Sequence, residues 1–524
     1  MARGEQTIDD LVARLTPAQA EAVMADDRSL AVYAGAGAGK TRVLTLRVAR
    51  LVDDGIDPTH VLAITFSRKA AQELRRRLWG FGVEGIRTGT FHRTARELVE
   101  VYRAQQGQRP LVLISDRRRM LEQIISTDNN SRTASNPAFV DTEITWAKAQ
   151  GLTPESYVDA AKIAKRRTSQ SPFHLQHLWS LYEAEKGRQG GLDFDDLINE
   201  AVRALDDPTF AEAIHWRSRH LLVDEFQDVN PMQFAMITRL LGRDSTFFCV
   251  GDPNQSIYGF NGADPDLLRS LELRLPGTQT VVLDANHRSS PEIVSCAASV
   301  LSHQHRTDVR STQHPGEIPE LTGLESDDAE ASFIARRLRL LHTPGRRWQS
   351  FAVLARTNAQ LPVISRALEA AQIPHQFLAP DLSRTSDVNN PVDRERPGSL
   401  PDADGDAVVL GTFHRAKGLE WSTVFVLGVS EGLVPYRSAK TALALDEERR
   451  LLYVALTRAE QQLVVTWATA PSGGDQTRPP RERSRFLEPF ERTINMLKAS
   501  DRPAASSLER IAQIRASLEA NKPS

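Results

Sequence analysis

The strongest chemical signal in the sequence is Ala34-Gly35-Ala36-Gly37-Ala38-Gly39-Lys40-Thr41, a glycine-rich run ending in Gly-Lys-Thr. Glycines leave backbone N–H groups free to wrap an anion, and the first turn of a following helix favours negative charge. Lys40 would then reach the outermost phosphates and the Thr41 hydroxyl would hold Mg²⁺. Ala34 stands where such loops usually begin with glycine, a mild departure. A glycine-rich strand-to-helix turn without a ligand is the plainer alternative, and Gly-Lys-Thr in this setting argues against it. The second half of such a site is an acidic pair at a strand end, supplied by Leu221-Leu222-Val223-Asp224-Glu225-Phe226-Gln227-Asp228. Asp224 would take the cation through water, and Glu225 would orient and deprotonate an attacking water. Taken alone, these acids also fit a solvated turn. Behind an apolar strand and downstream of a phosphate loop, they fit nucleotide hydrolysis better.

Both groups need strand ends to hold them. SLAVYAG reads as a buried strand, GKTRVLTLRVARLV as a helix, VLAITF as a second strand and RKAAQELRRRLWG as a second helix. Such alternation predicts βαβ units and a parallel sheet. It returns at HLLV, TFFCV and TVVL, expected as later strands of the same sheet. From about Arg93 to Ala211 the strand signal vanishes and helical periodicity dominates, which predicts a helical insertion. A second alternating region begins near Ile318, with FAVLART, AVVLGTF and TVFVLGV as strands of a second α/β domain. Asp381–Asp406 is rich in Asp, Pro, Asn and Ser and reads as a flexible loop. Pro471–Arg485 is similar, and one amphipathic helix is expected after Leu487.

The composition sets bounds. With 524 residues, 40% hydrophobic and 25% charged, the chain suits a soluble protein of roughly three or four domains. A formal net charge of −2 excludes a wholesale basic protein, so any nucleic-acid surface must be a local groove. Cys249 and Cys296 are the only cysteines, too few for a disulfide framework or a four-cysteine metal site. No run of about 18 apolar residues and no apolar signal core appear, so a cytoplasmic protein without a membrane partner is expected.

Taken in order, LTPAQAEAV, AGAGAGKT, AITFSRKAAQEL, TGTFH, LLVDEFQDVN, VGDPNQSIYGFNGA, LDANHRSSPEI, GTFHRAKGLEW and EERRLLYVALTRA resemble the ordered motifs of UvrD/Rep/PcrA-type superfamily 1 DNA helicases. The resemblance runs from residue 15 to about 487 and includes SRFL at Ser484–Leu487. It implies an α/β fold of two RecA-like P-loop motor domains with parallel sheets. The expected divisions are 1–92 and 213–285 for the first motor domain, 93–212 for its helical insertion, 286–380 and 406–470 for the second, 381–405 for a polar loop and 471–524 for a tail. ATP and Mg²⁺ are the implied cofactors. Residues 34–41 would cradle the phosphates, with Thr41 and Asp224 on the metal. Gln19 would read the adenine edge, Arg42 would lie along the base, and His287 would stack where the family has Tyr. Gly418 and Glu420 would line the nucleotide, Glu420 on the ribose. Lys40, Glu225, Gln255, Arg288 and Arg458 would serve catalysis, Gln255 sensing the γ-phosphate and the two arginines acting as fingers on transition-state charge.

The implied partner is single-stranded DNA and its junctions with duplex, with repair-protein partners unidentified. Phe66, Tyr258 and Phe260 fall where the family stacks bases, and core packing is the alternative for them. Thr90, His92, Thr412, His414 and Lys417 match motifs that hold DNA phosphates. Phe260-Asn261 replaces the usual Trp-Arg, keeping a smaller ring and losing a phosphate contact. The polar 381–406 stretch stands where the family carries a large helical subdomain, known as 2B, so most of 2B is expected to be missing, and no nuclease domain is expected after the tail. The expected function is an ATP-dependent single-stranded DNA translocase or helicase of repair or replication, 3′-to-5′ by resemblance. Two alternatives are a translocase that strips proteins but unwinds little alone, and an ATP-gated DNA-binding subunit.

Overall fold

The computed structural model describes residues 7–128, 135–166, 168, 170–302, 309–378, 405–473 and 480–500. Two six-stranded, wholly parallel sheets organise the chain, as the alternation predicts. The first has the order β3-β2-β4-β5-β1-β6, with β1 Ser29–Ala34, β2 Val61–Thr65, β3 Arg87–Thr90, β4 His220–Val223, β5 Thr246–Gly251 and β6 Gln279–Leu283. Strands β1, β2, β4 and β5 are largely apolar on both faces because helices cover both sides, whereas β3 and β6 at the two edges are more polar or exposed. Leu30 and Val32 face one core with Val43 and Leu46 of the helix Lys40–Asp53, while Ala31 faces the other with Leu98 and Ala201. In a parallel α/β sheet, ligands meet the carboxyl ends of the strands. Those of β1, β4 and β5 carry the phosphate loop, Asp224-Glu225 and Asp252–Gln255.

Between β3 and β4 the described residues form seven helices, from Phe91–Gln105 to Pro208–Arg217, and no strand. Part of this segment has its own core around Tyr157, Trp179 and Tyr182. Beside that core, Lys148 is buried against Asp193 and Asp196 at 2.7 Å each and Glu183 at 2.9 Å. The carboxylates neutralise its ammonium, so the network is a structural joint.

The second sheet has the order β11-β12-β10-β13-β14-β9. Its strands are β9 Glu320–Leu324, β10 Phe351–Ala355, β11 His375–Phe377, β12 Val408–Thr412, β13 Trp421–Val426 and β14 Ala459–Ala468, with a two-stranded pair, β7 Ala285–Asn286 and β8 Arg310–Ser311, leading into it. Strands β3, β9, β11 and β14 lie outside the strand segments picked from the sequence. The expected helix after Leu487 is present as Leu487–Ser500, burying Leu487, Phe490 and Ile494 against the second domain's core. The polar 381–404 stretch and residues 501–524 lie outside the described residues.

Candidate functional site

The phosphate loop turns sharply after β1. Gly37 and Gly39 have φ of +71° and +83°, a region where side chains are strained. A Cβ on Gly37 would sit 2.8 Å from Arg288 Cβ, and one on Gly39 would sit 2.9 Å from Gln19 Nε2. Both glycines are thus required by conformation and by close approach. Lys40 donates to the carbonyls of Ala34 (3.0 Å) and Gly35 (3.2 Å), and burial lowers its pKa. An ammonium held on its own loop this way is poised to transfer to a phosphate.

A cavity of about 870 Å³ lies where loops of the two sheets meet. Ala36, Gly37, Ala38, Gly39, Lys40, Thr41 and Arg42 line it from the first domain with Glu225 and Gln255, and His287, Arg288, Gly418, Glu420 and Arg458 are among the residues that line its other side. Ala34, Gly35, Gln19 and Asp224 stand behind this wall. Gln19 is buried, donates to Ala38 O at 2.9 Å and lies 3.2 Å from His287 Nε2. Gln255 is buried, donating to Asp252 Oδ2 at 2.7 Å.

The acidic pair follows β4. Glu225 adopts φ +50°, unusual for a side chain and of a kind that clusters at functional sites. Its carboxylate accepts from Gln227 Nε2. Burial would raise its pKa, but Lys417 and Lys40 outweigh burial and hold it below the ordinary range, as a base requires. Asp224 is pushed up to about 7 by burial and by the charge of Glu225. Asp224, buried beside a charged neighbour, is short of positive charge, and Thr41 lines a second cavity with it and Glu225, so Asp224 and Thr41 fit a divalent cation.

Opposite stand the arginines. Arg458 is 1% exposed, donating to Val454 O (2.8 Å), Leu419 O (3.1 Å) and Thr457 Oγ1 (3.2 Å). Burial, with Arg288 beside it, pulls its guanidinium down to about 9. Arg288 pairs with Glu420 at 2.5 Å. Two converging guanidiniums in a cavity that also holds Lys40 suit a polyanion.

The second cavity, about 370 Å³, is lined by Phe66, His92, Tyr258 and Lys417 and meets the first at Thr41, Glu225 and Gly418. Phe66 is half-buried, edge-on to Phe91 at 5.4 Å. Tyr258 is buried, and half-buried Phe260 lies 6.2 Å from it and 5.8 Å from the His414 ring. Burial, Arg356 and Lys417 hold the His414 pKa well below its usual value, so its ring is neutral. Lys417 is buried, donating to Asp228 Oδ2 at 2.5 Å and Gln255 O at 2.8 Å, with its ammonium 5.1 Å over the Tyr258 ring. Thr90 caps the helix Phe91–Gln105, its hydroxyl accepting from Arg93 N at 3.3 Å. Thr412 ends β12, buried, and, like Thr90, Phe260 and His414, lines neither cavity.

Sequence reasoning passed over four residues that organise these groups. Asp228 takes Lys417, Gln227 takes Glu225 and accepts from Asp252 N (2.8 Å), and Asp252 holds Gln255. Asn286 donates to Ala36 O at 2.7 Å and accepts from Arg288 N at 2.8 Å. All four lie inside quoted motifs, so a search of each motif for a second polar partner would have found them.

The family description "UvrD/REP helicase N-terminal domain" matches residues 15–276, and "UvrD-like helicase C-terminal domain" matches 281–380 and 393–470. The chain is similar to the ATP-dependent DNA helicase UvrD2 of Mycobacterium tuberculosis, 32% identical with 91% of this chain and 82% of the relative covered. That alignment runs over 575 positions, more than this chain has residues, so the relative carries segments that this chain lacks. It is also similar to the ATP-dependent DNA helicase PcrA of Leuconostoc citreum, 32% identical over 71% of this chain and 51% of the relative. A PcrA of Staphylococcus epidermidis is 30% identical over 70% of this chain and 51% of the relative.

Proposed function

The chain belongs to the UvrD/REP helicase family, and on that premise we propose that it is an ATP-dependent DNA helicase whose two α/β domains close on ATP and step along single-stranded DNA in the 3′-to-5′ direction. The observation that carries this is the composite cavity, in which Lys40 and Glu225 of one domain face Arg458 of the other. Gln19, Arg42 and His287 would bind the base, Glu420 the ribose, the 34–41 loop the phosphates, and Thr41 with Asp224 the metal. When bound, Mg²⁺ would neutralise phosphate charge and fix its geometry. Glu225, held ionised by two lysines, would take the proton of the attacking water. Arg288 and Arg458 would stabilise charge on the transferring phosphate, which favours the closed arrangement of the domains. Gln255 would carry the state of the phosphate into the loop bearing Tyr258 and Phe260. Those two rings, with Phe66, would stack on bases whatever their sequence, and Thr90, His92, Thr412 and His414 would guide the backbone, while Lys417 is committed to Asp228 and Gln255 O.

We further propose the division into two motor domains and one helical insertion, supported by the two sheets and the seven helices between β3 and β4. The C-terminal family match is interrupted at 381–392, where the helical subdomain was expected to be missing. With the alignment to UvrD2 longer than this chain, segments of that relative are missing here, and a short polar stretch in place of the helical subdomain favours a second reading, a translocase that displaces bound proteins but separates strands weakly alone. Strand displacement on duplexes with a 3′ or a 5′ single-stranded tail, beside ATPase assays with and without single-stranded DNA, tests both. Displacement from the 3′ tail supports the first reading, and DNA-stimulated ATPase without displacement supports the second. ATPase indifferent to DNA would overturn both.

A further inference from the structure

The loop from Gln255 to Phe260 joins the nucleotide cleft to the proposed DNA surface, and side chains of the second domain hold its backbone at three points. Lys417 donates to Gln255 O at 2.8 Å, Arg450 to Ser256 O at 2.8 Å, and Glu447 accepts from Gly259 N at 2.9 Å. Glu447 and Arg450 are one turn apart on the helix Ala442–Leu456, whose end leads to Arg458. The two halves of the loop are held differently. Near the nucleotide, Gln255 is also fixed from its own domain, its N–H on Asp252 O (2.8 Å) and its amide on Asp252 Oδ2 (2.7 Å). At Gly259, between Tyr258 and Phe260, the N–H is held by Glu447 across the domain boundary, while the Tyr258 and Gly259 carbonyls accept from Asn261 N and Gly262 N at 3.0 Å each within the turn. The approach is close enough that a Cβ on Gly259 would meet Glu447 Oε2 at 2.8 Å. Gly259 does not adopt a positive φ, so contact with this carboxylate, not backbone conformation, explains the glycine.

We propose that Glu447 is a positioning residue that seats the DNA-facing half of this loop, so that DNA contact at Tyr258 and Phe260 reaches the nucleotide cleft through the Glu447–Gly259 hydrogen bond. The inference rests on the reading above that these two rings meet DNA. Losing Glu447 leaves the Asp252–Gln255 contacts in place, so DNA-free hydrolysis persists while its acceleration by DNA is lost.

The test is steady-state ATPase of the full chain with and without saturating oligo(dT), on samples with matching thermal unfolding. Glu447→Ala should stay within about twofold of wild type without DNA and lose about tenfold or more of the stimulation, while Glu447→Gln, which keeps an acceptor, should recover most of it. Gly259→Ala should lower stimulation in the wild-type background and add nothing to Glu447→Ala, because the clashing carboxylate is then gone. Should Glu447→Ala fail to fold, Gly259→Ala and Glu447→Gln carry the comparison. Four results would overturn the inference: Glu447→Ala stimulated like wild type, a DNA-free rate that falls as far as the stimulated rate, Glu447→Gln as impaired as Glu447→Ala, or Gly259→Ala equally damaging in both backgrounds. A wild type that DNA does not stimulate would overturn the DNA reading and this inference with it.

Discussion

Replacing Lys417 by methionine removes a buried cation and leaves its partner in place. The two side chains are 4% and 3% exposed, and Lys417 Nζ lies 2.5 Å from Asp228 Oδ2 and 3.9 Å from Glu225 Oε2. Breaking one side of such a pair costs about 3–5 kcal/mol, whereas removing both charges is close to neutral. Lys417→Met should therefore be strongly destabilising at pH 8, where Asp228 is ionised in the wild type, and adding Asp228→Asn should there restore about 2 kcal/mol or more relative to the sum of the single changes. The pH dependence has a definite sign. Asp228 is raised by burial to about 7 even beside Lys417, so its contribution to stability is full below about 4 and is lost as pH rises toward 7. Without the lysine this carboxyl rises further and the loss continues above pH 7, at up to about 1.4 kcal/mol per pH unit. Urea unfolding of the four proteins at pH 6 and pH 8 measures these differences. The methionine variant should lose more at pH 8, and the double variant should lose less, the remainder coming from Glu225, which Lys417 also faces. Additive effects, or equal losses at both pH values, would refute the claim that this ion pair ties the second domain to the acidic motif.

Phe260→Ala should weaken oligo(dT) binding by about 1–3 kcal/mol, and Phe260→Trp should keep or improve it, read by DNA titration together with thermal unfolding. A loss of stability with unchanged DNA affinity would mark the ring as core. Arg458→Ala should bind nucleotide nearly as wild type and hydrolyse it on the order of 10³-fold more slowly, whereas Lys40→Ala should lose both binding and turnover. Gly37→Ala should weaken nucleotide binding about tenfold or more, measured with a fluorescent ATP analogue, because its new methyl meets Arg288 and Asn286.

Much of the framework could be read in the sequence because its signals are local. The apolar runs of β1, β2, β4 and β5 and the Gly-Lys-Thr turn each declare themselves within a few residues. β3, with the sequence RTGT, lacks a continuous apolar run and is a strand only because it pairs with β2. β14 begins AEQQ, a polar start permitted where the strand enters between β13 and β9. The cross-domain ties were hidden for a different reason. Lys417 and Asp228 are 189 positions apart, as Glu447 is 188 from Gly259, and only the docking of the two domains brings them together. Motif membership placed Lys417 on DNA phosphates, but an ion pair that buries its ammonium has no local signature.

Hydrolysis in this cleft depends most on Glu225 acting as the base at a site that both domains complete. The direct measurement is steady-state ATP hydrolysis by Glu225→Gln with and without oligo(dT), with nucleotide binding measured on the same samples. An amide of the same size cannot accept the proton of the attacking water, so binding should survive while turnover falls about 10²-fold or more under both conditions. A variant that hydrolyses ATP within a few-fold of a DNA-stimulated wild type would contradict the assignment and the mechanism built on it.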